Sequence, residues 1–359
     1  MAKFNTLSVS DIRKETADTV SVAFSVPAHL KDDYQFIQGQ YLTLKTQIDG
    51  EEVRRSYSIC VSPLDNELRV AVKKVPGGVF STYANEVLRT GEELDVMTPT
   101  GRFYTEVKPD QKKNYVAFAA GSGITPVMAI MKTVLETEPE SEFTLFYGNK
   151  HSGKIIFKEQ IEDLKDTYTE RLSVYHVLSK EETGSDLFYG RIDEEKCGVF
   201  CSKLFDPLKI DEYFLCGPEP MIRLVSKKLE DSGVDKNKVH FELFTSPTQL
   251  EGATKAAASK EAEKDVDHAS ITLQIDGDKT TYELEDKTVT ILDSALDNGL
   301  DVPFACKGAV CMTCRAKLLS GEARMDMNYA LTDDEVKQGY ILTCQAHPTT
   351  KAVEVSFDD

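Results

Sequence analysis

The first hundred residues alternate apolar and polar side chains in short runs. SVAFSV (21–26), QYLTLKTQI (40–48), RRSYSICV (54–61), ELRVAVKKV (67–75) and EELDVMT (92–98) are rich in β-branched and aromatic residues, with Gly, Pro, Asn or Asp between them. Such runs predict strands, with one short helix over Ser81–Leu88, and this density of turns predicts a closed antiparallel barrel. From about Asn114 the pattern changes. YVAFAA, FTLFYGN, LSVYHVLS, EYFLCG and VHFELF are almost continuously apolar and alternate with helix-like PVMAIMKTVLE, IIFKEQIEDLKD, EEKCGVFCSK and PEPMIRLVSKKLED. That alternation predicts a doubly wound α/β domain, its parallel sheet covered on both faces. Residues 246–268 are Ala, Lys, Glu, Thr and Ser with almost no large apolar side chain, and read as a tether. Beyond it, SITLQIDGDKTTYEL predicts a hairpin, TVTILDSALDNGL a strand–helix run and KAVEVSF a closing strand. The expected division is 1–108, 109–245, a linker 246–268, and 269–359.

Composition narrows the class. A chain of 359 residues with 41% hydrophobic and 28% charged side chains suits two or three globular domains. No apolar run approaches the roughly 18 residues of a membrane span, and the N-terminal stretch lacks the features of a secretory signal. We therefore expect a cytoplasmic protein without a membrane partner. The net charge of −18 argues against nucleic acid, whose phosphates it would repel. The acidity is uneven: residues 269–359 hold 16 Asp and Glu against 8 Lys and Arg, a net −8. An acidic terminal domain suits a basic protein partner, since such fields steer encounters.

Eight cysteines in a chain of this kind do not read as disulfides. Cys60, Cys197, Cys201 and Cys216 are scattered; Cys197 and Cys201, four apart on an expected helix, read as packing residues. The rest form a pattern. Cys306, Cys311 and Cys314 leave four and then two residues between them, and Cys344 follows after 29 more. This is the spacing of plant-type [2Fe–2S] ligands, three thiolates from one tight loop and one from a distant strand. Gly308 and Ala309 suit a loop whose backbone N–H groups approach sulfur. The alternative is structural zinc on four thiolates, although such sites pair two short two-cysteine hooks.

The segment CKGAVCMTCRAKLLSGEARMDMNYALTDDEVKQGYILTCQAHP resembles the C-terminal ferredoxin domain, of β-grasp fold, in reductase subunits of phenylacetyl-CoA ring epoxidases. Ala309 stands where relatives are expected to carry Gly. Upstream, Arg55-Ser56-Tyr57-Ser58 resembles the RxYS signature of the ferredoxin-NADP reductase superfamily. A flavin needs an aromatic face, a cation for its pyrophosphate and a donor near its reactive nitrogen, which Tyr57, Arg55 and Ser58 supply in that order. Gly77-Gly78-Val79-Phe80-Ser81 resembles the family's second flavin motif, with Ser81 opening a helix whose N–H groups suit phosphate. Gly121-Ser122-Gly123-Ile124-Thr125-Pro126 follows an apolar strand and resembles the family's GxGxxP. Its glycines admit a nicotinamide pyrophosphate, and Pro126 is placed at the first helical position. Cys216-Gly217-Pro218 resembles CGPxxM, in which the cysteine lies beside the nicotinamide ring.

The resemblance implies FAD and a route from NAD(P)H through flavin to a [2Fe–2S] cluster. Cys216, Ser58 and Thr125 are its candidate catalytic residues. It further implies an oxygenase partner, di-iron in type, from a multicomponent monooxygenase. Ser179 and Lys180, with Lys150 nearby, are expected to meet the 2′-phosphate of NADPH, NADH being possible. The alternatives are a reductase for another ring- or steroid-hydroxylating system, or a non-catalytic module holding zinc.

Overall fold

The computed structural model describes residues 3–244 and 266–358, so the expected tether lies outside the described residues except for its last three. Strand β1 (Phe4–Thr16), the longest, is missing from the runs picked out above. Its pairing with β2 (Thr19–Ser25) slips between Val9 and Asp11 and again between Lys14 and Thr16. Each slip breaks the apolar alternation that marks a strand in sequence, so Leu7 and Val9 fall out of step with Ile12.

With β3 (Tyr41–Ile48), β4 (Glu51–Ser58), β5 (Leu68–Lys73) and β6 (Glu93–Met97), these strands form one sheet in the order β4-β3-β6-β1-β2-β5. Ile59, just past β4, bridges Val70 of β5 and brings the two edges together. Leu7, Val22, Leu42, Leu44, Ile59, Val70 and Val96 fill the interior. Helix α1 (Val79–Glu86) begins two residues before the expected Ser81, because Gly78 takes the cap position. Ser81 is then the third helical residue.

The second sheet is parallel, in the order β11-β10-β7-β8-β9, from β7 (Asn114–Ala120), β8 (Glu142–Asn149), β9 (Leu172–Leu178), β10 (Glu212–Gly217) and β11 (Val239–Leu243). Helices α2 (Ile124–Thr137) and α3 (Lys158–Thr167) cover one face; α4 (Glu194–Lys203) and α5 (Glu219–Asp231) cover the other. Helix α3 starts three residues later than its apolar lead-in suggests. Phe157 is left-handed (φ 61°), and Ile155–Phe157 enter the core as an irregular anchor. The chain order reverses between β7 and β10, the place where open α/β sheets receive ligands at the carboxyl ends of their strands. Cys197 and Cys201 lie in the α4-side core. The barrel is joined to this domain by Lys154–Asp18 (2.8 Å) and by Thr133 Oγ1 donating to Ser62 Oγ (3.2 Å).

The last part is a mixed sheet in the order β13-β12-β18-β14-β16. Its strands are β12 (Ala269–Ile275), β13 (Asp278–Leu284), β14 (Arg315–Ser320), β16 (Tyr340–Leu342) and β18 (Ala352–Ser356), with helix α6 (Ile291–Asp297) packed on it. The hairpin β12–β13 is antiparallel while β18 joins β12 in parallel, the β-grasp arrangement. A small sheet pairs β15 (Ala323–Met325) with β17 (Ala346–Pro348), and α7 (Asp333–Lys337) is the last helix. The strand expected at Thr288–Thr290 is a turn instead. Thr288 bonds the Asp286 carboxylate, and Thr290 caps α6 by accepting from Asp293 N–H, so neither is free to pair in a sheet. Val266 already donates to the Pro348 carbonyl (3.3 Å) and Asp267 pairs with Lys287 (2.9 Å).

Candidate functional site

The alternation along β4 puts Arg55 and Tyr57 on one face. The Tyr57 ring lies 5.5 Å from the Phe80 ring at 35°, so α1 braces the aromatic surface from behind. Arg55 Nη1 donates to the Arg54 carbonyl (2.7 Å), and Ser56 is half-buried. Gly77 is left-handed (φ +73°), and a side chain at Gly78 would meet Ser81 Oγ at 2.4 Å. Ser81 Oγ accepts from Val75 N–H (3.2 Å) and donates to the Gly78 carbonyl (3.3 Å), closing the glycine turn on itself.

Gly121 and Gly123 form a tight turn from β7 into α2. Gly123 has no room for a side chain: a Cβ there would lie 2.0 Å from the Cys216 carbonyl oxygen. The absent methyl lets the start of α2 sit against the end of β10. Gly217 is confined less severely, with Met221 Cε at 2.9 Å and Ala120 Cβ at 3.1 Å from a built Cβ. Pro126 is the third residue of α2 rather than the first, since the helix starts at Ile124. The physics is the same, because the first four N–H groups have no partner within a helix. Thr125 is buried, and its hydroxyl donates to the Ser122 carbonyl (3.0 Å), bracing the turn. Pro218 is the cap residue of α5.

Ser58, Cys216 and a residue that the motifs did not reveal, Glu242, come together here. Strands β10 and β11 align Cys216 with Glu242, and Ser58 Oγ donates to Glu242 Oε2 (3.1 Å) across from the barrel. Burial pushes the Cys216 thiol well above its ordinary value, and the Glu242 charge adds to that. Cys216 is thus a neutral thiol. Nothing in VHFELF marked Glu242 except that one acid interrupts an apolar strand.

No motif marks Lys73, although it precedes Gly77-Gly78 by only four residues. A Cβ on Gly121 would lie 3.5 Å from its Nζ. Burial lowers the Lys73 pKa, Lys154 and Lys150 lower it further, and Asp18 opposes them. Ser179 and Lys180 follow the carboxyl end of β9, with Lys150 at the end of β8 beside them. Ser179 N–H donates to the Asn149 carbonyl (2.9 Å) and Lys180 N–H to the Lys150 carbonyl (2.8 Å), so both lysines are exposed side by side on paired loops. Glu181 is turned onto Ser152, accepting from its N–H (2.7 Å) and hydroxyl (3.0 Å).

The cysteine loop follows the chemistry expected of it. Gly308 N–H points at Cys306 Sγ (3.2 Å) and Cys306 N–H at Cys311 Sγ (3.5 Å). Left-handed backbone falls at Lys307 (φ 48°), Ala309 (φ 62°) and Met312 (φ 59°) and not at Gly308, so the tight curvature is carried by residues with side chains. Thr343 donates through both N–H and hydroxyl to the Cys314 carbonyl, each at 3.1 Å, which fixes the Cys344 segment to the loop. Cys311, Cys314 and Cys344 are buried and Cys306 is half-buried, and none of the four is in a disulfide. Among the described residues no three Cys, His, Asp or Glu side chains stand at the spacing of ligands to one metal ion. The fit to a two-iron group rests on the four thiols and the amides aimed at them.

Three domain models match this chain: an oxidoreductase FAD-binding domain over residues 6–104, an oxidoreductase NAD-binding domain over 118–227, and a 2Fe-2S iron-sulfur cluster binding domain over 273–349. One component of the 1,2-phenylacetyl-CoA epoxidase of Escherichia coli (strain K12) is 43% identical over 358 residues, covering 100% of this chain and 99% of that protein. The ferredoxin reductase component of the 3-ketosteroid-9-alpha-monooxygenase of Rhodococcus rhodochrous is 33% identical over 353 residues, covering 98% and 96%. The chain belongs to the oxygenase reductase family. A solved structure of phthalate dioxygenase reductase shares the fold, with a TM-score of 0.60 at 22% identity over 99% of this chain and 98% of that one. As an oxygenase reductase the chain is an NAD(P)H-dependent oxidoreductase, passing electrons from NAD(P)H through FAD to a [2Fe–2S] centre and on to an oxygenase. The zinc alternative and the non-catalytic reading fall with the match of residues 273–349. No helix among the described residues is long and apolar enough to cross a membrane.

Proposed function

We propose that this oxygenase reductase works in the cytoplasm and serves a di-iron oxygenase that epoxidises the ring of phenylacetyl-CoA. The observation that carries the reading is 43% identity along the whole chain to an epoxidase component, against 33% to a steroid-system reductase. Full-length identity to the latter keeps a steroid-hydroxylating system as the second reading. Eight cysteines without a disulfide among them suit a reducing compartment.

In this reading Arg55, Ser56, Tyr57, Ser58, Gly77, Gly78 and Ser81 hold FAD. Gly121, Gly123, Thr125 and Pro126 seat the nicotinamide pyrophosphate. Cys216, with Gly217 and Pro218, flanks the nicotinamide ring, and Ser58 and Thr125 complete the catalytic group. Cys306, Cys311, Cys314 and Cys344 hold the cluster. FAD, when bound, accepts a hydride and releases its electrons singly. The protein's own part is orientation: a neutral thiol at the end of β10, a serine hydrogen-bonded to Glu242, and a glycine turn that seats the start of α2 against Cys216.

NADPH is the preferred donor, because Ser179, Lys180 and Lys150 gather where a 2′-phosphate needs cations and donors, and Glu181 is occupied by Ser152. Lysine is a point charge without the bidentate fork of arginine, so the preference is about one to two powers of ten in kcat/KM. Lys180→Ala raises KM for NADPH and leaves NADH unchanged in steady-state assays. Equal loss with both cofactors sinks the assignment. The partner is tested by reconstitution: NADPH, this reductase and candidate oxygenase components are mixed, and epoxide formation from phenylacetyl-CoA is measured. Turnover with a steroid oxygenase instead favours the second reading.

A further inference from the structure

Gln345 follows the fourth cysteine directly and is 4% exposed. Its amide nitrogen lies 3.2 Å from the Lys307 carbonyl, 2.9 Å from the Cys344 carbonyl and 3.9 Å from Cys344 Sγ. All three are acceptors, so the NH2 end must face them. The other end is left over: Gln345 Oε1 is buried without a hydrogen-bond partner. A buried orphan carbonyl is costly and rare enough to need a reason. Plain packing does not provide one, since methionine or leucine fills such a space without any orphan.

The geometry supplies one. Lys307 belongs to the loop that delivers three thiols, and Cys344 brings the fourth from a separate segment. One side-chain amide bridges the two, its two N–H groups donating to the two carbonyls and one of them shared with the lone sulfur 3.9 Å away. We propose that Gln345 is a positioning residue that sets the potential of the iron–sulfur centre. Reduction adds negative charge to the ligand sulfurs, and a fixed donor stabilises that form more than the oxidised one. The Gln345 N–H therefore raises the potential, which eases electron flow from the flavin. The proposal rests on the assignment of Cys306, Cys311, Cys314 and Cys344 as the cluster ligands.

The test uses the full-length protein carrying FAD and the cluster. Gln345→Met keeps the side chain's length and removes its N–H; Gln345→Glu keeps its shape and makes it an acceptor. The cluster is equilibrated with a one-electron reference dye and followed by its own absorbance and electron paramagnetic resonance. The expected result is about a tenfold displacement toward the oxidised cluster in Gln345→Met, equivalent to about 59 mV, and a larger one in Gln345→Glu. Wild-type iron and sulfide content with the equilibrium unchanged within about twofold overturns the proposal. A wild-type protein lacking iron and sulfide overturns the ligand assignment instead. Should the variants lose their clusters, the wild-type protein is labelled with nitrogen-15 only at glutamine side chains. Pulsed resonance of its reduced cluster must then show coupling to a labelled nitrogen, and its absence also overturns the proposal.

Discussion

Cys216 is a thiol that burial keeps protonated, beside an acid that makes ionisation harder still. A residue in that condition contributes shape and a weak donor rather than a nucleophile. Cys216→Ala therefore removes a wall of the site and leaves the flavin motifs on β4 and α1 untouched. Flavin reduction by NADPH is expected to slow by about 10²-fold in stopped flow, the cost of a small misplacement of reacting groups. Flavin content after gel filtration stays at the wild-type level. A parallel loss of flavin assigns Cys216 to packing. At this scale the sequence was readable wherever a role imposes a spacing, as with the four cysteines. It was silent where a role depends on a neighbour brought in by the fold: Glu242 is defined by alignment with Cys216 and by Ser58. Lys73 is defined by its closeness to Gly121.

At the scale of elements, strands with clean alternation or continuous apolarity were legible, and β1 was hidden by its two register slips. Helix starts shifted by two or three residues because glycine caps and left-handed residues define them, not periodicity. The contact between α2 and β10 is the most exacting of these junctions. Gly123→Ala forces a methyl toward the Cys216 carbonyl, built at 2.0 Å, and backbone must move on one side or the other. A loss of about 1–3 kcal/mol in urea unfolding is expected, with a slower flavin reduction. An unchanged midpoint would show that the junction yields freely. In the barrel, Arg69 has a 3% exposed side chain and bonds Ser21 Oγ (2.8 Å), Glu67 Oε1 (2.8 Å) and the Asp11 carboxylate, tying β5 to β1 and β2. Its guanidinium lowers the pKa of both Asp11 and Glu67, chiefly by hydrogen bonding. Carboxylates depressed in the folded state give stability that is present above their unfolded values, about 3.9 and 4.3, and lost as pH falls through the folded ones. Arg69→Met should cost about 2 kcal/mol at pH 7. The gap from wild type should narrow below about pH 4, and a gap that widens there contradicts the sign.

For the whole molecule the order of domains was legible because each has its own periodicity, while its use depends on charge. The chain carries −18 overall, and residues 269–359 carry −8 of it. Electrons leave through that acidic domain, so charged acceptors should sense it. A small trianion such as ferricyanide is repelled, and salt screens the repulsion; its cluster-dependent reduction should quicken as ionic strength rises from 0.02 to about 0.5 M, where the Debye length falls below roughly 5 Å. An oxygenase whose docking face is basic is attracted, and the same salt should slow its reduction by at least about tenfold. The two slopes must be separated from direct flavin oxidation, which Cys311→Ser allows. That variant should lose the cluster, keep flavin reduction by NADPH, and reduce protein acceptors only slowly. The difference between wild type and Cys311→Ser at each salt concentration isolates transfer through the cluster. Opposite slopes for the anion and the oxygenase support docking on the acidic domain. Slopes of the same sign would mean that the oxygenase meets this reductase elsewhere, and wild-type transfer by Cys311→Ser would mean that electrons bypass the cluster.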